Sequence, residues 1–352
     1  MLDRRTFLGG SLCVAGGLLL DACTAPGNPA SPASATPRSG GSLTFATESE
    51  TNSFDPRQGA WDSTGLLYAA TVYDPLFMQA PDGTVKPYLA RSITPNGDYT
   101  EWTISLRPGI RFHDGSPLDA ATVRVNLDGS ARAPLTGPYL FNVTGMKVVD
   151  PLTLVVTMAT PWVPFPFYLT RQIGYMAGLK QLADTSGRAR PIGTGPFLFG
   201  EWVPGDHFTA TRNPSYWRPG LPYLDSITYR PIIDPHSRGT SLQAGDVDLM
   251  HSSDSQSVAD FRHRPGFHQV NDLDSVLGER DQSCIMLNTA LPPLNDLRVR
   301  QALACATDRQ RVIDTLFNGL TKPADGPFTQ RSPYYGATGY PSYDLARAKR
   351  LV

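Results

Sequence analysis

Apolar and polar positions alternate with a period of two through several stretches of the chain. In YTEWTISL, Trp102, Ile104 and Leu106 face one way and Thr103 and Ser105 the other, which predicts a half-buried strand. GSLTFAT (Gly41 to Thr47) reads as a first strand. MKVVDPLTLVVTM (Met146 to Met158) reads as a hairpin with Asp150-Pro151 in its turn. PFLFGEWVPGDHFTATRNPSYW reads as another, turning at Gly205-Asp206 and leaving at Asn213-Pro214, and SITYRPII as a further strand. IRF is a short strand, and HDGS after it a turn, because Asp-Gly favours tight turns.

A helical period takes over elsewhere. Asp119 is placed to cap a helix bearing Val123 and Leu127 four residues apart. SLQAGDVDLM reads as a helix end, a glycine stop and a strand. NDLRVRQALACATDRQRVIDTLFNG holds two helices. Asp296 caps the first, with Val299, Ala302, Leu303 and Ala306 inward. Thr307 or Asp308 caps the second, with Val312, Ile313 and Leu316 inward and Gly319 as its stop. Hairpins mixed with helices predict an α/β fold with mixed sheets.

Composition narrows this picture. With 352 residues the chain is long enough for two domains. Gly and Pro each number 32, which implies many turns between short elements. The net charge of −1 gives no basic surface for nucleic acid or anionic membrane, so no nucleic-acid partner is expected.

The N-terminus reads as a targeting segment over residues 1–23. RRTFL (Arg4 to Leu8) is a twin-arginine signature. The apolar run after it is too short for a comfortable membrane span. LLDAC then resembles a bacterial lipobox, in which Cys23 is lipidated; Asp21 departs from that pattern. This predicts an exported protein, lipid-anchored to the outer face of the cytoplasmic membrane or periplasmic. Residues 24–40 read as a disordered tether. Cys13 leaves with the signal. Outside the cytoplasm a disulfide is open to Cys284, in the strand-like run CIMLN, and Cys305, on a helix, but both are expected to be buried free thiols.

Candidate chemistry is sparse. His113 and Asp114 adjoin, but neighbours in a tight turn point in different directions, and a catalytic His needs an orienting partner and a reactive group. No GxSxG, HExxH or CxxC motif accompanies them. His263 and His268 in HRPGFH flank a Pro-Gly break that gives no fixed metal geometry. No enzyme activity, cofactor or metal site is expected. ESETNSFDP is the better candidate, because it follows the first strand and ligands of open α/β sheets bind beyond strand carboxyl ends. Glu48, Ser49, Thr51, Asn52 and Ser53 are expected to supply polar ligand contacts, and Phe54 and Trp61 an apolar wall.

The order of three long stretches adds a resemblance. KPYLARSITPNGDYTEWTISLRPGIRFHDGSPLDAATVRVNL, PIGTGPFLFGEWVPGDHFTATRNPSYWRPGLPYLDSITYRPI and IMLNTALPPLNDLRVRQALACATDRQRVIDTLFNG resemble the extracytoplasmic solute-binding proteins of peptide/nickel-type ABC importers (family 5). LQAGDVDLM and the closing YDLARAKRLV fit the same order. The resemblance implies a two-lobed, periplasmic-binding-protein-like (type II) α/β fold with an extra subdomain in lobe I. Lobe I would comprise 41–58 and 191–283, its inserted subdomain 59–190, and the hinge and start of lobe II 284–352. FHDG is then structural. Family members are longer, so lobe II is expected to be incomplete and its apolar faces uncovered. The implied function is capture of a peptide or related small solute by a monomer and delivery to the permease subunits of the transporter. A secreted hydrolase of small solutes, or a solute receptor for a surface sensor, is the competing reading.

Overall fold

The computed structural model describes residues 37–80, 82–184, 190–270, 284–328 and 335–352. Cys23, the signal segment and most of the expected tether lie outside them. Ser39–Val352 forms one compact unit.

Strand β1 (Ser42–Thr47) leads to helix α1 (Ser63–Val72), whose first turn is capped by Asp62 accepting from the Gly65 amide. Strands β2 (Phe77–Gln79) and β3 (Val85–Pro87) form a small antiparallel pair. Strands β4 (Ala90–Pro95) and β5 (Glu101–Leu106) follow, then helix α2 (Ala120–Arg132) and strands β6 (Val143–Asp150) and β7 (Thr153–Met158). These make a four-stranded antiparallel sheet in the order β4-β5-β7-β6. As predicted, Trp102, Ile104 and Leu106 turn inward, Asp119 accepts from the Thr122 amide, and Val123 and Leu127 are buried on α2. Two short helices, α3 (Phe165–Tyr168) and α4 (Leu179–Ala183), follow. The Arg111–Pro117 bridge is all that stands for the expected strand at IRF, because the Gly115 turn reverses the chain at once.

Strands β8 (Phe197–Val203), β9 (His207–Arg212) and β10 (Ser226–Pro231) form an antiparallel meander, with Gly205 at φ 79° in the expected turn. Helix α5 (Pro235–Ala244) ends at Gly245, in the left-handed region, and returns the chain to β11 (Leu249–Met250). β1 lies parallel between β10 and β11, giving the sheet order β11-β1-β10-β9-β8. Helix α6 (Ser255–Phe261) follows.

Two cores result. One lies against the four-stranded sheet and α2, and contains Trp102, Ile104, Leu127, Leu154, Trp162 and Phe165. The other lies between α1 and the five-stranded sheet. It is an aromatic stack in which Tyr68 and Tyr229 approach to 4.7 Å and Phe54 and Phe208 to 4.9 Å between ring centroids. Core membership divides the chain differently from the expected boundaries at 59 and 190. α1, Ala177 and Leu182 pack in the aromatic core with the five-stranded sheet.

The cores meet at Val72–Asp74. Val72 O accepts from Gly195 N at 2.9 Å. Gly193 and Gly195 sit so close to the Val72 carbonyl that a Cβ on either would overlap backbone atoms. Asp74, 2% exposed, accepts from Trp217 Nε1 at 2.8 Å, Thr194 Oγ1 at 3.1 Å and Tyr216 OH at 3.1 Å. The resembling stretches FHDG, GTGPF and RNPSYW therefore converge here. His113 N bonds Gly193 O at 2.8 Å, and Asn213 Nδ2 bonds Gly195 O at 3.0 Å.

Helices α7 (Leu297–Ala306), α8 (Arg309–Leu316) and α9 (Leu345–Leu351) complete the described chain. Asp296, Asp308 and Asp344 cap them. Ala302, Cys305, Ile313 and Ala348 are buried, but Leu303, Val312 and Leu316 are exposed and Val299 is half-buried, contrary to the inward face expected for them. Ala306 is exposed too. Cys284 is likewise exposed instead of buried, and CIMLN forms no strand. Ile285 and Met286 beside it are 87% and 92% exposed. An apolar run with no sheet neighbour among the described residues has nothing to bury against.

Gly195→Ala is expected to lose at least about 2 kcal/mol of unfolding free energy by denaturant titration, because the overlap is with backbone that cannot rotate away. Gly97→Ala, where a Cβ meets nothing within 4 Å, stays within about 0.5 kcal/mol of the parent.

Candidate functional site

Because β1, β10 and β11 are parallel, their carboxyl ends open on one edge of the sheet. The segments leaving them run from Glu48, Ile232 and His251. A crevice at such an edge presents backbone and loop groups with no strand beyond them, which is where open α/β sheets take ligands.

An ion pair fixes this edge. Arg238, on α5, is only 1% exposed. Its Nη1 donates to the carbonyls of Ile232 at 2.6 Å and Ile233 at 3.1 Å, and its Nη2 to Glu48 Oε1 at 3.2 Å and Ser252 Oγ at 3.4 Å. Glu48 also accepts from Ser253 Oγ at 2.8 Å and from the Ser253 amide. One carboxylate and one guanidinium thus join all three strand exits. Charge-assisted bonds of this kind hold a loop in one shape before ligand arrives. Arg238 Nε is buried without a partner, and His251 Nδ1, also buried without a hydrogen bond, lies 3.7 Å from Glu48 Oε2.

The remaining expected contacts fall along the next six residues and beyond. Ser49 Oγ donates to Asp62 Oδ2 at 3.1 Å, tying the loop to the cap of α1. Thr51 is buried and donates to Ser53 O at 2.7 Å. Asn52 is exposed, and its Oδ1 accepts from Ala60 N at 2.9 Å. Ser53 O accepts from Trp61 Nε1 at 2.8 Å. Glu50, absent from the expected set, accepts from Gly205 N at 2.9 Å and Trp202 Nε1 at 3.3 Å, which ties the loop to the β8–β9 turn.

Phe54 does not form an open wall. It is 4% exposed and directed into the aromatic core, against Phe199, Trp202 and Phe208. The reason is the Asp-Pro turn after it, whose tight path is held by Tyr73 OH donating to Phe54 O at 2.7 Å. Trp61 is half-buried, stacked on Tyr73 and edge-on to Tyr175. The structure brings Glu48, Ser49, Asn52 and Ser53 together on one loop and separates Phe54 from it. Sequence reasoning missed Arg238, His251, Ser252 and Ser253. Their signal was positional: each directly follows, or reaches back to, a strand parallel to β1.

His113 and Asp114 form no dyad. His113 Nε2 lies 3.0 Å from Gly195 O, and burial lowers its pKa. Burial opposes ionisation of Asp114, but Ser116 and Lys180 outweigh it and hold the carboxyl below its usual range. Its oxygens are engaged away from the imidazole. Among the described residues no group of three or more His, Cys, Asp or Glu side chains is arranged to hold a metal, and His263 and His268 are exposed. No described helix is long and apolar enough to cross a membrane.

The mixed five-stranded sheet and the second, antiparallel sheet give an α/β fold with several sheets, and solved structures of two-lobed periplasmic binding proteins align with it. NikA from Brucella suis, in complex with Fe(III)-EDTA, has a TM-score of 0.76 and 28% identity over 88% of this chain and 63% of its own. The oligopeptide-binding protein AppA from Bacillus subtilis, in complex with a nonapeptide, has the same fold, with a TM-score of 0.70 and 22% identity over 90% and 64%. The chain belongs to the bacterial extracellular solute-binding proteins, family 5, whose middle-region model matches residues 84–352. It is a family of solute-binding proteins, not of enzymes. Glutathione-binding protein GsiB of Pectobacterium atrosepticum is 32% identical over 88% of this chain and 60% of the relative. The nickel-binding periplasmic protein of Escherichia coli is 31% identical over 82% and 56%. The chain thus spans about three-fifths of the length of these curated relatives.

Glu48→Ala leaves Arg238 buried without its carboxylate. It is expected to cost about 2–4 kcal/mol in denaturant unfolding, somewhat below a fully buried pair because Glu48 keeps some solvent contact. Arg124→Ala, which breaks a surface pair with Asp128, changes stability by less than about 1 kcal/mol.

Proposed function

We propose that this chain is the solute-capturing component of an ABC importer, with peptides or a closely related small solute as ligand. The observation that carries the reading is the carboxyl edge of the parallel strands in a family 5 fold, where one ion pair joins three strand exits. In this reading the five-stranded sheet belongs to lobe I, the four-stranded sheet is its inserted subdomain, and 284–352 begins lobe II. Glu48, Ser49, Thr51, Asn52, Ser53 and Trp61 line or support one wall of the ligand site, and Phe54 backs it from the core. Extended peptides suit such an edge, since exposed main-chain groups can pair with a peptide backbone. Ligand contacts made only in the closed state would bias a hinge between the lobes, and the closed form would engage the permease subunits.

The relatives span glutathione and nickel in their names, so the ligand test compares these chemistries directly. Hydrogen exchange is followed on the chain with a mixed short-peptide pool, with glutathione and with nickel–histidine. Peptide or glutathione is expected to slow amide exchange in 48–53 and 251–253 and to leave the four-stranded sheet unchanged. Slowing by nickel–histidine alone would sink the peptide reading.

Export and anchoring form the finer part of the proposal. Cys23 carries the lipid and the following spacer lets the binding unit stand off the membrane. Metabolic labelling with a fatty-acid analogue in a bacterial host is expected to mark the parent chain, and Cys23→Ser to abolish both the label and membrane fractionation. Equal labelling of both chains would remove the anchor.

A further inference from the structure

Where the two cores meet, a hydrogen-bonded chain runs from the buried carboxyl of Asp74 to a half-buried arginine. Arg218 Nη1 donates to Tyr88 OH at 2.9 Å, Tyr88 OH and Tyr216 OH are 3.1 Å apart, and Tyr216 OH donates to Asp74 Oδ1 at 3.1 Å. The other carboxyl oxygen accepts from Thr194 and Trp217. With Asp74 ionised, every donor points inward. The same chain has a second consistent arrangement. A proton on Oδ1 lets Asp74 donate to Tyr216, Tyr216 to Tyr88, and Tyr88 to water, while Arg218 goes on donating to Tyr88. One proton taken up from solvent and rotations of the hydroxyls separate the two arrangements, and no hydrogen bond of the chain is lost.

We propose that Asp74, Tyr216, Tyr88 and Arg218 form a proton-uptake site at the joint between the two cores, which loads one proton on Asp74 and holds the joint tighter when loaded. The groups facing Asp74 from the elements packed on it are Tyr175, Thr194, Tyr216, Trp217 and Arg218, with Tyr88 reached through Tyr216. His113 lies across Gly195, bonded to its carbonyl. Arg218 is the charge that favours the ionised carboxyl, and burial opposes it more strongly, so the Asp74 pKa is pushed up to about 6. A buried carboxylate with three neutral donors and a partly solvated arginine is under-compensated, and neutralising it relieves that penalty.

The sign follows from this elevation. The folded protein binds a proton more tightly at Asp74 than the unfolded chain does. The stabilisation is therefore complete below the ordinary carboxyl range and is lost as pH rises through about 6. Tyr216→Phe removes a donor to the ionised form, and Arg218→Gln removes the favourable charge, so each raises the midpoint further.

The test is carbon NMR of the full chain labelled at aspartate carboxyls. One resonance is expected to titrate with a midpoint near 6, to vanish in Asp74→Asn, and to move to higher pH in Tyr216→Phe and Arg218→Gln. Thermal or denaturant unfolding of parent and Asp74→Asn against pH gives a second reading. The unfolding constant of the parent should fall, relative to the variant, by on the order of a hundredfold between pH 8 and pH 4. An Asp74 resonance that titrates in the ordinary range, an unchanged midpoint in both partner variants, or parallel stability profiles would each overturn the proposal.

Discussion

The carbonyl of Val72 and the carboxyl of Asp74, two residues apart, are the points on which both cores hang. The carbonyl admits Gly193 and Gly195 at a separation that no side chain tolerates, and the carboxyl gathers donors from two later segments of the chain. Together they bring the turn before β8 and the segment after β9 against the end of α1. Were the joint looser, the aromatic stack of the five-stranded sheet would lose its cover from α1. The four-stranded sheet would then keep its own core but not its place. This explains why stretches far apart in sequence belong together: they are the parts of one small polar knot set in apolar surroundings, where each unmade bond is costly.

The crevice edge is built by different means. There the shape comes from a buried arginine whose donors reach two carbonyls, a carboxylate and a hydroxyl. A loop held this way presents its remaining groups without first having to be ordered, which lowers the entropy that binding must overcome. The same rigidity explains why Glu48 reads less as a ligand-seeking charge than as the post around which the loop is wound.

Local features were legible in the sequence and long-range ones mostly were not. Caps at Asp119, Asp296 and Asp308, the turn at Gly205, the stop at Gly245 and the inward face of β5 all depend on residues within a few positions of each other. The position of the candidate loop at a strand end was legible for the same reason. Phe54 was misread because its loop looked polar, while the turn after it swings the ring into the core. Arg238 gave only the signal of its place between two strands parallel to β1, since it lies in a polar helix with no apolar stripe to mark which face is buried. Asp74 sat in plain view as an acid inside an apolar run, but its partners lie at 194, 216 and 217, and only tertiary structure reveals them. In the last helices the apolar period was read correctly as a pattern. It failed as a guide to burial because part of that face meets no neighbour among the described residues.

The pairing of β1 with β10 sets an order of events in folding. Ser42 meets Ser226, and Phe45 meets Leu249, so β1, an inner strand of the five-stranded sheet, is made before the other strands of that sheet and finds its neighbours only after some two hundred residues more. The four-stranded sheet closes through near neighbours and can assemble earlier. Contacts so distant along the chain close slowly, and until they do an unpaired apolar strand stands open to wrong partners. The parallel arrangement that puts three strand exits on one edge therefore also leaves one particular segment of the newborn chain unpaired until late.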